Sequence, residues 1–303
     1  MNDHNPRLIS IVGPTAVGKT AVGIEVAKKL GVEIISADSR QFYQEMQIGT
    51  AKPTDKELKA VKHHFINSHS IGEFYSAGAF ERDVLVKLEE MFETNDQVLM
   101  VGGSGLYAKA VWEGFDAMPD VDEGIRAELI EEFEKDGLDP LLDELRLKDA
   151  QYYEIVDHKN HQRIIRALEV IRASGLRFSS LRNRKSKTVR PFEIVKIGLE
   201  MDREKLNKRI EDRMDQMIAS GLFEEAERLF PQRKLNALQT VGYKEIFDFM
   251  EGSYDREEAI RLLKRNSRRY AKRQMTWFKA DSEIIWVDAA TPIDDILVSL
   301  QPA

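Results

Sequence analysis

The sequence predicts an α/β protein: a parallel sheet core flanked by helices, carrying a mainly helical insertion. Three observations support this. Short apolar runs alternate with amphipathic segments through the first third of the chain, a glycine-rich turn joins the first run to the first helix, and from about Pro119 helical segments follow one another until another apolar run begins at Phe192. Strands alternating with helices imply a parallel sheet, whose ligands gather at the carboxyl ends of the strands.

Taken in order, Leu8 to Val12 reads as a buried strand and Lys19 to Leu30 as a helix with Ala21, Ile24, Ala27 and Leu30 at helical spacing. Val32 to Ile35 reads as the second strand, with Asp38 and Ser39 just beyond it. Ala77 to Phe92 is a helix with Phe80, Val84, Leu88 and Met91 on one face, and Val98 to Val101 is a strand stopped by Gly102 and Gly103. Helices are expected over Glu123 to Lys135, Pro140 to Lys148 and His161 to Ala173. Phe192 to Met201 returns to the sheet, and Ile284 to Val287 is a short closing strand. The expected division is a core of residues 1–118 and 191–303 with an insertion at 119–190.

Composition narrows the function. The 303 residues are 42% hydrophobic and 32% charged, which fits a packed globular chain, and no apolar stretch is long enough for a membrane span. Met1 to Arg7 lacks the features of a secretory signal, so a cytoplasmic location is expected. The absence of cysteine excludes disulfides, thiolate zinc sites and a cysteine nucleophile. The net charge of −7 is unevenly spread. Glu113 to Asp157 holds 16 acidic and 4 basic side chains, Lys159 to Arg190 holds 10 basic and 1 acidic, and Arg256 to Lys279 holds 9 basic and 2 acidic. Such basic runs are either solvated helix faces or a patch for phosphate backbones.

Gly13-Pro14-Thr15-Ala16-Val17-Gly18-Lys19-Thr20 fits G-x-x-x-x-G-K-[ST] between a strand and a helix, the context that a phosphate-binding P-loop requires. The core is therefore expected to be P-loop NTPase-like. Backbone N–H groups and the helix N-terminus cradle phosphates, Lys19 neutralises them, and the Thr20 hydroxyl can ligate Mg²⁺. Asp38 would face the same crevice, as a proton acceptor or simply as a helix or turn cap. No acid follows the strand Val98 to Val101, where V-G-G-S-G-L-Y stands instead, and this counts against a motor ATPase. Lys272 to Lys279, K-R-Q-M-T-W-F-K, mixes cations with aromatics that either stack on bases or fill a core.

Together these segments resemble the bacterial tRNA dimethylallyltransferase (tRNA isopentenyltransferase) family through nearly the whole chain. The resemblance rests on the P-loop string, I-I-S-A-D-S-R-Q-F-Y at 34–43, M-Q-I-G-T-A-K-P at 46–53, Y-S-A at 75–77 and V-G-G-S-G-L-Y at 101–107. It continues with H-Q-R-I-I-R-A-L-E-V at 161–170, R-I-E-D-R-M-D-Q-M at 209–217, V-G-Y-K-E at 241–245 and A-K-R-Q-M-T-W-F at 271–278. The I-G-T-A-K-P and A-K-R-Q-x-T-W-[FL] strings are the most specific. One departure is Ser104, where the family pattern has threonine.

The resemblance implies transfer of a dimethylallyl group from its diphosphate to N6 of the adenosine immediately 3′ of the anticodon, in tRNAs reading codons that begin with U. It implies Asp38 as the general base, with Lys19, Thr20, Arg213 and Mg²⁺ on the departing diphosphate and Thr15 helping to position it. It implies tRNA contacts at Asp38, Ser39, Arg40, Gln41, Ser104, Arg126, Gln162, Arg163, Ile164, Ile165, Arg166, Gly242, Tyr243, Lys272, Arg273, Gln274, Trp277 and Lys279, with the insertion gripping the anticodon stem-loop. A monomer is expected. The rivals are a small-molecule kinase using ATP in the same loop, a non-catalytic nucleic-acid-binding protein and an isopentenyltransferase for free adenylates. The two basic runs favour a polynucleotide over the first and last.

Overall fold

The computed structural model describes residues 6–115, 118, 119, 121–182 and 189–298. It divides into two compact units, residues 1–113 with 190–303, and residues 114–189.

The first unit begins with β1 (Arg7–Val12), α1 (Lys19–Leu30), β2 (Ile34–Ser36), α2 (Asp55–Ala60), β3 (His63–His64), α3 (Ala77–Phe92), β4 (Gln97–Gly102) and α4 (Gly105–Glu113). The second unit contributes α5 (Glu123–Asp136), α6 (Asp139–Lys148), α7 (Ala150–Tyr153), α8 (His161–Ser174) and α9 (Phe178–Leu181). The chain then re-enters the first unit with β5 (Glu193–Glu200), α10 (Arg203–Ala219), α11 (Leu222–Leu229), α12 (Lys244–Met250), α13 (Arg256–Phe278), β6 (Ile285–Asp288) and α14 (Ile293–Val298).

Among the described residues six strands form one sheet in the order β3-β2-β4-β1-β5-β6, with parallel pairing throughout. Strand side chains alternate between the sheet's two faces. Leu8, Ile35, Val98 and Met100 join a core with α3 and α4, whereas Ile9, Ile11, Ile34 and Leu99 join the core under α1. A third core lies among α10 to α13, and the second unit has its own around Leu129, Leu141, Leu145, Ile164 and Leu168. In that unit Arg172 bridges Glu132 and Glu144.

The strand expected from Val32 begins later, at Ile34. Val32 is used to end α1: Gly31 adopts a left-handed φ of 67° and the Val32 N–H donates to the Ala27 carbonyl at 3.0 Å. The last strand, expected over Ile284 to Val287, lies one residue later. The sequence reading gave neither α2 nor α14. The former starts on a capping box, Thr54 and Glu57, a signal that was legible.

Candidate active site

Parallel register brings three chain exits together at one edge of the sheet. Val12 pairs with Gly102 and Ser36 with Val101, so the P-loop, the segment with Asp38 and the turn Gly103–Gly105 leave side by side. The loop conformation is special at three points: Gly13 has φ 149°, Ala16 has φ 65° and Gly18, the N-cap of α1, has φ 114°. Lys19 curls back and donates to the carbonyls of Gly13 at 3.0 Å and Pro14 at 2.8 Å. Thr15 accepts a hydrogen bond from the Arg213 guanidinium, which comes from α10.

A cleft of about 480 Å³ opens on this edge. Thr15, Lys19, Thr20, Asp38, Gln41 and Arg213 are among its lining residues, and so are Arg209, Thr50 and Ala51. A smaller pocket of about 40 Å³ shares Lys19, Thr20, Asp38 and Gln41 with it and adds Ser36, Pro53 and His63. The Asp38 carboxylate thus stands beside the Lys19, Arg209 and Arg213 cations in this cleft, whose lining also includes Glu57 and Asp212. Burial pulls the Lys19 ammonium down to about 8, with Asp38 opposing and Arg213 reinforcing that shift. Burial also lowers Arg213, against the pull of Asp38, and Arg209 adds to the lowering.

The Asp38 side chain accepts from the Arg40 N–H at 3.1 Å, so it caps its turn while one face lines the cleft. Ser104 is hydrogen-bonded to Ser39 through its hydroxyl. Its hydroxyl accepts from the Ser39 N–H at 2.9 Å and donates to the Ser39 hydroxyl at 3.1 Å. Tyr270 also shares a hydrogen bond with Ser104, and its phenol is pushed up to about 12, first by burial and then by Asp38. Sequence reading missed Tyr270. The signal available was its place in the basic helix, two residues before Lys272.

The expected RNA-contacting residues separate into exposed and buried sets. Lys272, Arg273, Trp277 and Lys279 on or just beyond α13 are exposed, as are Gln162 and Arg163 at the start of α8. Trp277 is 45% exposed, whereas its neighbour Phe278 is core at 1%. The indole lies so close to Gly105 that a Cβ there would stand 2.1 Å from its Cδ1. Lys279 pairs with Glu200 at 2.8 Å, and Arg40 donates to the Asn236 carbonyl at 3.3 Å. Arg126 and Arg166 both pair with Glu169. Part of the basic run on α13 is neutralised at home, since Lys264 and Arg268 pair with Asp215 and Glu211. The residues Arg184, Lys185 and Lys187 of the earlier run lie outside the described residues.

Five residues expected to contact RNA, Ile164, Ile165, Gly242, Tyr243 and Gln274, are buried here, and each has an internal role. Ile164 and Ile165 are 0% and 3% exposed and form the core of the second unit, as apolar residues of an amphipathic helix should. Tyr243 is fully buried with its hydroxyl on Glu225 at 2.6 Å. Gln274, 7% exposed, uses both ends of its amide internally. It accepts from the Thr15 N–H at 2.8 Å and donates to the Gly103 carbonyl at 2.8 Å, tying the P-loop to the glycine turn. Gly242 serves a turn with φ 108°, its N–H donating to Glu245 at 2.9 Å.

A phosphate cradle at the carboxyl edge of a parallel sheet, with a carboxylate in the same cleft, defines a P-loop protein whose ligand carries phosphate. The IPP transferase family model matches residues 41–281, and the chain belongs to that family. Among relatives, a tRNA dimethylallyltransferase of Christiangramia forsetii is 52% identical over 93% of each chain. One from Cytophaga hutchinsonii is 50% identical over 94% of each. The solved tRNA isopentenylpyrophosphate transferase of Bacillus halodurans superposes with a TM-score of 0.71 at 38% identity, covering 97% of this chain and 94% of that one.

Proposed function

We propose that this chain transfers the dimethylallyl group of dimethylallyl diphosphate to N6 of the adenosine immediately 3′ of the anticodon. The tRNAs are those reading codons that begin with U, and the products are N6-(dimethylallyl)adenosine and diphosphate. The observation that carries this reading is the shared cleft, in which Asp38 lines the same space as Lys19, Thr20 and Arg213.

In the step itself the bond from C1 of the dimethylallyl group to the diphosphate oxygen breaks, and a bond from N6 to C1 forms. Asp38 accepts the proton that N6 loses. The N6 lone pair is delocalised into the purine ring, so removing that proton matters, and loss of such a base costs about 10²–10⁴-fold in rate. Charge builds on the departing diphosphate, where the P-loop N–H groups, Lys19 and Arg213 stabilise it. Arg213 is aimed by its hydrogen bond to Thr15. The adenine has to leave its stack to reach Asp38.

Mg²⁺ fits the donor set: Thr20 offers one hydroxyl in a cleft that also holds Asp38, and this ion takes few protein ligands beside water and phosphate oxygens. It would be held by Thr20 and the diphosphate and would neutralise charge on the leaving group. Exposed Lys272, Arg273, Trp277 and Lys279 supply cations and a stacking surface for RNA, and the second unit, with Gln162 and Arg163, takes the anticodon stem-loop. A monomer acting in the cytoplasm completes the proposal.

The test is label transfer from dimethylallyl diphosphate, with Mg²⁺, to an unmodified stem-loop bearing adenosine 3′ of the anticodon. The proposal expects labelled N6-modified adenosine, and no label on a stem-loop with guanosine there. Folded protein that transfers nothing to the stem-loop or to whole tRNA would overturn it.

A further inference from the structure

Two of the matched sequence strings, I-G-T-A-K-P and V-G-Y-K-E, are unexplained by the chemistry above, and the fold joins them through a residue outside the cleft. Glu225 on α11 is 2% exposed. Its carboxylate accepts from three successive N–H groups, of Gln47 at 3.0 Å, Ile48 at 2.9 Å and Gly49 at 2.9 Å, and from the Tyr243 hydroxyl at 2.6 Å. A buried carboxylate is costly unless its lone pairs are filled, and consecutive N–H groups curled around an anion fill them. The Tyr243 ring closes the other side of the loop. A Cβ on Gly49 would lie 2.4 Å from Tyr243 Cζ, so the string needs glycine where the tyrosine presses. Burial, then Glu225, holds the Tyr243 phenol protonated well above its ordinary range, so it is a lasting donor.

The held loop leads into the cleft. Thr50 and Ala51 line it, and their carbonyls accept from Gln41 Nε2 at 3.3 and 3.2 Å. Gln41 Oε1 accepts from the Ser36 hydroxyl at 3.3 Å, so the amide is gripped at both ends beside Asp38. Ala51 has φ 48°, a conformation that an alanine keeps only when its surroundings impose it.

We infer that Glu225, with Tyr243, is a positioning residue: it fixes residues 47–51, and through them Gln41, so that the acceptor nucleoside meets a preset wall next to Asp38. This rests on the proposed transfer to an adenosine. Glu225 itself does not line the cleft.

The test compares Glu225→Gln, Gln41→Ala and the double variant. In Glu225→Gln the new amide would turn N–H against N–H and open the loop. The kcat/KM for the stem-loop is expected to fall about 10–100-fold in Glu225→Gln, the scale of a misplaced positioning group. Inhibition by inorganic diphosphate, held by the P-loop, should change by less than about threefold, and the double variant should be no worse than the poorer single one. A loss in the double variant equal to the product of the single losses would overturn the inference, as would a Glu225→Gln enzyme within about threefold of the parent. Hydrogen exchange supplies a readout independent of turnover. The Gln47, Ile48 and Gly49 amides should exchange at least about tenfold faster in Glu225→Gln, and unchanged exchange would also overturn the inference. If that variant does not fold, Tyr243→Phe retains the ring and the carboxylate. It is expected to lose about 3–10-fold, non-additively with Gln41→Ala, and additivity there would overturn the inference. A parent that transfers nothing speaks against the function, whereas a parent that transfers beside an unaffected Glu225→Gln speaks against this inference alone.

Discussion

Replacing Gln274 by methionine tests how the phosphate loop is held. Methionine matches the glutamine in length and apolar stem but has neither of its amide groups. The substitution strips the partner from the Thr15 N–H and from the Gly103 carbonyl, both at 2.8 Å in the parent. Leaving a buried backbone group unpaired costs about 1–3 kcal/mol. The Gly103 bond is buried and the Thr15 bond only partly so, which places the sum near 2–4 kcal/mol. For a unit of this size, with about 2–4 °C per kcal/mol, the melting temperature should drop by roughly 4–16 °C. Thr15 also accepts from Arg213, so a loosened loop should weaken inorganic diphosphate binding by about tenfold, or about 1.4 kcal/mol. Urea unfolding followed by circular dichroism and calorimetric titration with diphosphate read the two effects. Stability within about 0.5 kcal/mol of the parent, with unchanged diphosphate affinity, would refute the role given to Gln274.

Three further outcomes are expected. The kcat/KM for dimethylallyl diphosphate should fall as pH rises past about 8, because burial lowers Lys19 to that value and only its ammonium form neutralises phosphate; a profile flat to pH 10 would contradict this. Chelation of Mg²⁺ should abolish transfer while leaving stem-loop binding in place, with activity restored by added Mg²⁺; undiminished transfer in excess chelator would exclude the ion from the step. Gly105→Ala should displace the Trp277 indole, since the new Cβ would stand 2.1 Å from Cδ1, and should weaken stem-loop binding by about 1–3 kcal/mol if the indole stacks on a base. Filter binding of the stem-loop measures that loss, and unchanged affinity would remove Trp277 from the interface.

What the sequence made legible was mainly local. The P-loop needs its glycines, lysine and threonine within eight consecutive positions, and strand and helix periodicity framed it on either side. Asp38 was visible for the same reason, two residues beyond β2. Residues that reach the cleft or its loops from distant elements were not legible from the residues alone. Arg213 reaches Thr15 across 198 positions, and Gln274 reaches Gly103 across 171. No local pattern records such pairings, so Arg213 came from family resemblance and Gln274 was assigned to RNA rather than to the loop it braces. Ile164 and Ile165 show the opposite case. Their apolar character at helical spacing already marked a core, and only their membership of a matched string suggested contact with RNA. Tyr243 shows the limit of residue type, since a tyrosine suits an interface and a buried clamp equally well until its hydroxyl is seen on Glu225.

The central claim is that Asp38 takes the N6 proton in a cleft whose phosphate loop independently holds the leaving group. Single-turnover transfer by Asp38→Asn tests it most directly, with stem-loop affinity and diphosphate affinity measured on the same protein. The account predicts a rate about 10²–10⁴-fold below the parent with both affinities retained. A rate within about threefold of the parent would contradict it, because proton removal by Asp38 would then not contribute to the step.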